Sequence, residues 1–394
     1  MGTVDVKTAR RKRDWGKPPW RIDFRPRRRS LPTEVDIAIV GGGFSGLATA
    51  AWLRHLAPKK SVAVFEAGRI GTGSSGHTGG MALPESAAGD LPGLGDVLGG
   101  FRRILRTLGV KCDFETGGVY EISHRSSKED SPIRWTDTGT ELRVAKEVPG
   151  GSVDPGKLVG GLGRATERLG ALIFESSRVE RIEHGKPLVL IVRGREIRAR
   201  CGVVATNAMS LELSGLAGRA EPKFTLAVET ERLTARQLGA LGLAERRPFY
   251  TVDLLYLWGR VLATNRVIFG SGLVHLENWR GLETISINEG EAAELIGGLE
   301  ERVRGLHPAL RSVKFRRRWG GPMLIGAGWK PVFMRHARSR DLLVLGAYSG
   351  HGVALSVYLG RWAAEVLVGR RGLPKWSKEG KPGRTTGWRE SRKD

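Results

Sequence analysis

The residues with the clearest chemistry are glycines. Gly41-Gly42-Gly43-Phe44-Ser45-Gly46 follows a β-branched run over 35–40 and precedes an alanine-rich helical stretch over 47–56. Strand, glycine turn and helix in this order make the dinucleotide fingerprint. Gly41 permits the tight turn, Gly43 lets the backbone approach a pyrophosphate, and Gly46 lets helix pack on strand. Phe44 and Ser45 open the helix, whose free N–H groups and positive dipole end suit a diphosphate. Glu66, 20 residues beyond Gly46, ends a second apolar run and is placed to accept hydrogen bonds from a ribose diol.

Up to Glu66 the pattern fits any ligand carrying an ADP moiety. The next segment, 67–81, is rich in glycine and hydroxyls, and it offers Ala67, Arg69, Ser74, Ser75, His77, Thr78, Gly79, Gly80 and Met81 to a longer ligand. A second glycine turn lies far along the chain in Leu342-Leu343-Val344-Leu345-Gly346-Ala347-Tyr348-Ser349-Gly350-His351-Gly352-Val353-Ala354, again between a strand and a helix. No Ser/His/Asp constellation or metal-binding histidine cluster accompanies these turns.

The Ser-x-Gly-x-x-Gly-Gly character of the loop and the closing turn resemble the D-amino-acid oxidase-like FAD-dependent oxidoreductases, the group that includes glycine oxidase, sarcosine oxidase and γ-glutamylputrescine oxidase. Asp154-Pro155 with the helical stretch after it, Gly170-Ala171-Leu172-Ile173-Phe174-Glu175 and Val203-Val204-Ala205-Thr206-Asn207-Ala208 extend the similarity over roughly residues 34–369. The resemblance implies a fold of α/β and α+β type, a Rossmann-type FAD-binding domain with an antiparallel-sheet substrate domain. It implies FAD as cofactor, with Val179 meeting the adenine through its backbone, Thr206 on the strand beneath the dinucleotide, and Gly350, Gly352 and Val353 at the isoalloxazine.

The reaction implied is oxidation of the C–N bond of a small amine or amino acid by hydride transfer to flavin N5, with oxygen or a quinone as electron acceptor. Tyr256, Trp258 and Trp319 are candidate substrate-lining residues, and Tyr256 and His351 are candidate catalytic ones. His77 occupies a loop position where related enzymes carry a flavin-linked histidine, so a covalent link and a hydrogen bond both stand open. One departure concerns Gly328-Trp329-Lys330-Pro331, where the family usually has an acidic residue shortly before the proline. That leaves substrate identity open.

The expected organisation is a basic disordered arm over 1–33, FAD-binding domain over 34–221 with interleaved substrate-domain segments at about 82–150, substrate domain over 222–318, FAD-binding domain again over 319–369, and a basic disordered tail over 370–394. The formal net charge is +23, of which residues 1–33 hold +8 and residues 370–394 hold +6. Charge concentrated in terminal segments reads as a solubilising arm or a contact with anionic surfaces. It also keeps two other classes in view, an FAD-dependent tRNA-modifying enzyme and a redox-inactive FAD-binding scaffold. Cys112 and Cys201 match no disulfide framework or zinc spacing. Arg10-Arg11 is followed by no apolar region of the kind an export signal needs, so a cytoplasmic protein is expected.

Overall fold

A computed structural model describes residues 13–253 and 255–378. The described residues divide into two compact units, one built from 20–118, 149–222 and 323–378, the other from 13–19, 119–148 and 223–322.

The first unit is a Rossmann-type layer structure. Its sheet runs in the order Val332–His336, Ser339–Gly346, Arg195–Val204, Glu34–Val40, Val62–Phe65, Leu172–Phe174. The four pairs from Ser339–Gly346 to Leu172–Phe174 are parallel. Their central stretches, Ile37–Val40, Val62–Phe65, Gly202–Val204 and Leu342–Leu345, are apolar and almost wholly buried, while the charged residues lie toward the exposed ends. Ile37 and Ile39 point into one core, and Ala38 and Val40 point into the other. The first core holds helices Phe44–Leu56, Pro155–Arg168 and Gly352–Leu367. The second lies under an antiparallel meander of Val179–Glu183, Leu188–Val192 and Arg195–Val204. Gly360 sets how closely the last helix crosses the first, because a Cβ there would lie 2.7 Å from the Ser45 carbonyl oxygen.

The second unit carries an eight-stranded, largely antiparallel sheet, with Phe249–Thr251 running parallel to Val119–Ser123. Trp135 meets Phe249 edge-on at 4.9 Å in its core. Helix Gly290–Leu306 is fastened to the sheet by Arg302, which donates from Nε and Nη2 to the two carboxylate oxygens of Asp137 at 2.9 and 2.5 Å. The excursion of the chain into this unit covers 119–148, shorter than the 82–150 expected. The reason is helix Val97–Thr107, whose Gly100 would place a Cβ 2.4 Å from the Tyr358 ring of the last helix in the first unit.

The terminal segments depart from the expected disordered arms. Trp15 is buried and donates from Nε1 to the Leu282 carbonyl at 3.0 Å, while Gly320 N donates to the Trp15 carbonyl at 2.8 Å. Trp20 is also buried and donates to the Gly76 carbonyl at 2.7 Å. Residues 21–24 lie along the glycine face of helix Pro155–Arg168. Cβ atoms at Gly156 and Gly163 would come within 2.3 Å of the Arg21 carbonyl and 2.7 Å of the Phe24 ring. At the other end Trp376 is buried edge-on against Trp362 at 5.6 Å. Tryptophan burial, worth a few kcal/mol each, outweighs the surrounding charge. The parts of both expected arms over 1–12 and 379–394 lie outside the described residues. Among the described residues no helix is long and apolar enough to cross a membrane.

Candidate functional site

The first glycine turn is a cradle that side chains would fill. Gly41 has φ +110, and a Cβ there would lie 2.7 Å from the Ala205 carbonyl oxygen; a Cβ on Gly46 would lie 2.0 Å from the Gly41 carbonyl oxygen. A Cβ on Gly43 would lie 2.9 Å from Ser75 Oγ. Helix Phe44–Leu56 therefore starts hard against its own strand. Its N-cap, Gly43, supplies no side-chain hydrogen bond, and its first turn holds no acidic residue. Phe44 N donates to Ser75 Oγ at 2.9 Å. The remaining N–H groups and the dipole mark an anion site of diphosphate type.

Glu66 ends the second strand with its carboxylate turned to the same turn. Its oxygens accept from Gly42 N and Gly68 N, each at 2.8 Å. Burial pushes its pKa up, and those two N–H groups oppose the rise. A carboxylate so held keeps lone pairs for ribose hydroxyls.

The loop over 67–81 folds under the turn. Arg69 accepts from Thr72 Oγ1 through its carbonyl, and the single turn of helix Ser74–His77 sets Ser75 toward the fingerprint and Ser74 toward Asn207. His77 Nδ1 lies 2.9 Å from the Gly73 carbonyl, and Gly80 N lies 3.5 Å from Thr78 Oγ1. Ala67 is exposed, Gly79 and Gly80 are buried, and Met81 is half-buried. Trp20 braces the loop from outside through Gly76.

Two bridges join this region to the second glycine turn. Ser45 Oγ and Tyr348 Oη are 2.6 Å apart and buried. Asn207 donates from Nδ2 to Ser74 Oγ at 3.0 Å and accepts the Ala347 N–H at 2.9 Å. Burial pushes the Tyr348 phenol pKa up, so the bridge is a neutral hydroxyl pair. Ala347 and Ser349 both adopt left-handed φ, 52 and 49, and Gly350 follows at φ +90. Gly350 is exposed, and a Cβ built there would meet only Met323 Sδ, at 3.6 Å. Helix Gly352–Leu367, in which Val353 is buried, begins without a side-chain cap.

His351, half-buried beside this turn, has Nδ1 3.5 Å from the Ser349 carbonyl; burial lowers its pKa from 6.5. Thr206 follows strand Arg195–Val204 beneath both turns, and its Oγ1 is buried without a hydrogen-bond partner. An orphaned hydroxyl, an uncapped helix start and a glycine cradle together fit a ligand that is phosphorylated and rich in polar edges. Val179 is buried at the start of its strand, paired with Val192.

The other candidates lie in the second unit. Tyr256 is 45% exposed, and its carbonyl accepts from Ser271 Oγ at 2.5 Å. Trp258 is half-buried across Gly270, where a Cβ would lie 2.0 Å from its ring. Trp319 is fully enclosed in the core, so its ring packs the unit and presents no surface.

Sequence reasoning missed Asn207, Tyr348 and Trp20. Tyr348 and Asn207 stand inside motifs already singled out, and a polar residue at the end of a buried strand was the available signal.

The family model described as FAD dependent oxidoreductase matches residues 36–366. Gamma-glutamylputrescine oxidoreductase of Escherichia coli (strain K12) is 28% identical over 378 residues, covering 85% of this chain and 84% of its own. Glycine oxidase from Geobacillus kaustophilus superposes with TM-score 0.69 at 19% identity, covering 88% of this chain and 98% of that one. L-proline dehydrogenase from P. horikoshii superposes with TM-score 0.66 at 17% identity, covering 88% and 97%. Likeness at those last two identities speaks to the fold.

Proposed function

This chain belongs to the FAD dependent oxidoreductase family, and on that footing we propose that it oxidises the C–N bond of a small amine or amino acid. The observation that carries the reading is the pair of bridges, Ser45 to Tyr348 and Ser74 through Asn207 to Ala347, which tie together two glycine turns some 303 residues apart. The amine half draws support from the names of the relatives, which include a putrescine derivative, glycine and proline.

When bound, FAD supplies a two-electron acceptor for hydride from the substrate carbon. The chain's own residues hold that group and manage charge. The N–H groups of Ser45 and Gly46 and the first helix dipole would take the diphosphate, Glu66 would take the ribose hydroxyls, and Val179 would offer backbone to the adenine. Ser74, Ser75, Thr78 and Thr206 give hydroxyls along the ligand's length, beside Ala67, Arg69, Gly79, Gly80 and Met81. Gly350 and the start of helix Gly352–Leu367 would offer N–H groups and a positive dipole end to the negative charge of a reduced flavin.

Burial lowers the His351 pKa below its ordinary value, which favours the neutral ring. With Nδ1 turned to the Ser349 carbonyl at 3.5 Å, the tautomer protonated there would carry its lone pair on Nε2. We assign that atom the proton a substrate ammonium must lose before oxidation. Tyr256 and Trp258 are assigned to substrate orientation.

The test is the visible spectrum of the FAD-loaded protein before and after addition of amines and amino acids under anaerobic conditions. Bleaching near 450 nm, roughly the usual flavin band, is the expected result. A broad panel that leaves the band unchanged removes the amine assignment. Hydrogen peroxide formed on admitting air identifies oxygen as acceptor, whereas turnover only with an added quinone identifies the other. Acid denaturation that releases flavin to the supernatant identifies a noncovalent cofactor and excludes a link to His77.

A further inference from the structure

The basic run Arg25-Pro26-Arg27-Arg28-Arg29 has no part in the function above, and its place in the fold is specific. A cleft of about 670 Å³ opens in the first unit between this segment, helix Pro155–Arg168 and the turn after helix Val97–Thr107. Its charged lining is Arg27, Arg29, Lys111, Arg164 and Arg168, with Glu167 as the one acid. Five cations therefore face one carboxylate. That carboxylate is engaged as well, since Glu167 Oε1 accepts the Arg27 backbone N–H at 2.7 Å.

Among the described residues none of the five cations forms a salt bridge. Two are nevertheless held in place. Arg164 donates from Nη1 to the Asp23 carbonyl at 2.6 Å, and Arg168 donates from Nη2 to the Leu108 carbonyl at 2.8 Å. Each uses one guanidinium N–H in this way and retains the rest of its fork, so the wall of the cleft is preorganised for an acceptor-only ligand. Phe24, packed on Gly163, and Leu108 supply an apolar flank. Like charges gathered without counter-ions repel one another, and an anion seated among them removes that repulsion.

We propose that this cleft is a binding site for a small oligophosphate. Its volume falls in the range of small-ligand pockets, roughly 300–1,000 Å³, and is concave where a membrane or a nucleic-acid duplex would need an extended face. Five cations against one engaged carboxylate call for a ligand with several negative charges in a short length, which phosphate groups in series provide and a single carboxylate does not. Two sources share this chemistry, inorganic oligophosphate and a nucleotide whose base would lie on the Phe24 flank.

The experiment titrates FAD-saturated protein, so that the dinucleotide site is filled, with inorganic tripolyphosphate and separately with ATP at about 0.15 M salt. Saturable binding at one site per chain is expected. Arg29→Glu and Lys111→Glu, both on exposed positions, are each expected to weaken it by about tenfold or more, with flavin absorbance unchanged as the check on folding. Tighter binding of ATP than of tripolyphosphate assigns the site to nucleotides, and equal binding assigns it to the phosphates alone. Absence of saturable binding, or binding that both variants retain, overturns the proposal.

Discussion

Asn207 is the most informative position to perturb, because one side chain spans the two glycine turns. It sits at φ 48, so alanine there would add backbone strain of its own. Glycine accepts that conformation, and Asn207→Gly removes the side chain alone. Two groups lose their partner. The Ala347 N–H belongs to a fully buried residue and pays about 1–3 kcal/mol for being left unsatisfied. Half-buried Ser74 Oγ can turn toward water, and its loss is about 0.5–1 kcal/mol. The total of about 1.5–4 kcal/mol should fall mainly on the ligand-binding geometry, since the parallel strands on either side keep their own ladder. The dissociation constant for FAD, followed by flavin fluorescence quenching, should rise by at least about 10-fold and by up to about 1,000-fold. Ser74→Ala should reproduce only the smaller share, a factor of about five, and adding it to Asn207→Gly should cost little more. If Asn207→Gly binds FAD within about twofold of the parent and melts at the same temperature, the bridge does not couple the turns.

Gly46→Ala forces a Cβ to within 2.0 Å of the Gly41 carbonyl oxygen, and the displaced helix should leave protein purified with little flavin, at about 1–3 kcal/mol in stability; flavin-to-protein absorbance ratio checks it. His336, stacked on His184 at 4.5 Å, has its pKa lowered by burial from 6.5 to about 4, with Arg338 and Arg219 adding to the effect. A depressed histidine stabilises the fold above the unfolded value and loses that contribution as pH falls. Thermal stability should therefore drop between about pH 6.5 and 4, by up to about 1.4 kcal/mol per unit. His336→Phe should flatten the slope, and an unchanged profile refutes the assignment. Trp20→Phe loses the bond to the Gly76 carbonyl and should cost about 1 kcal/mol, whereas Trp20→Ala should cost about 3–5 kcal/mol and reduce FAD uptake, both read by thermal melts with and without cofactor. Tyr256→Phe should raise KM about fivefold with flavin content unchanged; an effect on flavin content instead would make it a packing residue.

What was legible in the sequence is what is local in the chain. The order of strand, glycine turn and helix at 35–56, and again at 342–354, follows from periodicity and from glycine's freedom at positive φ. Glu66 follows from its distance to Gly46. Partners from opposite ends of the chain were not legible. Nothing near Tyr348 announces Ser45, and nothing near Asn207 announces Ala347, because those contacts exist only once four strands have paired in parallel. The terminal segments misled for a different reason. Charge and proline dominate residues 1–33, yet Trp15 and Trp20 bury enough apolar area to fix residues 13–24. Aromatic residues inside an otherwise polar stretch were the signal to weigh more heavily. The enclosed Trp319 shows the reverse, since ring size alone does not separate a pocket wall from a core.

The left-handed backbone at Ala347 and Ser349 has a consequence for how this chain can vary over time. Each of these residues holds a conformation that L-amino acids avoid, and Asn207 and Ser45 keep the segment between them pinned. A drift at 207 alone would release the turn, so replacements there should appear in descendants together with glycine at 347 or 349. Positions 45 and 348 should likewise change as a pair. These five positions form a unit of inheritance scattered across the gene, and a reconstruction of its history that altered 207 or 45 without its partners should yield a colourless protein.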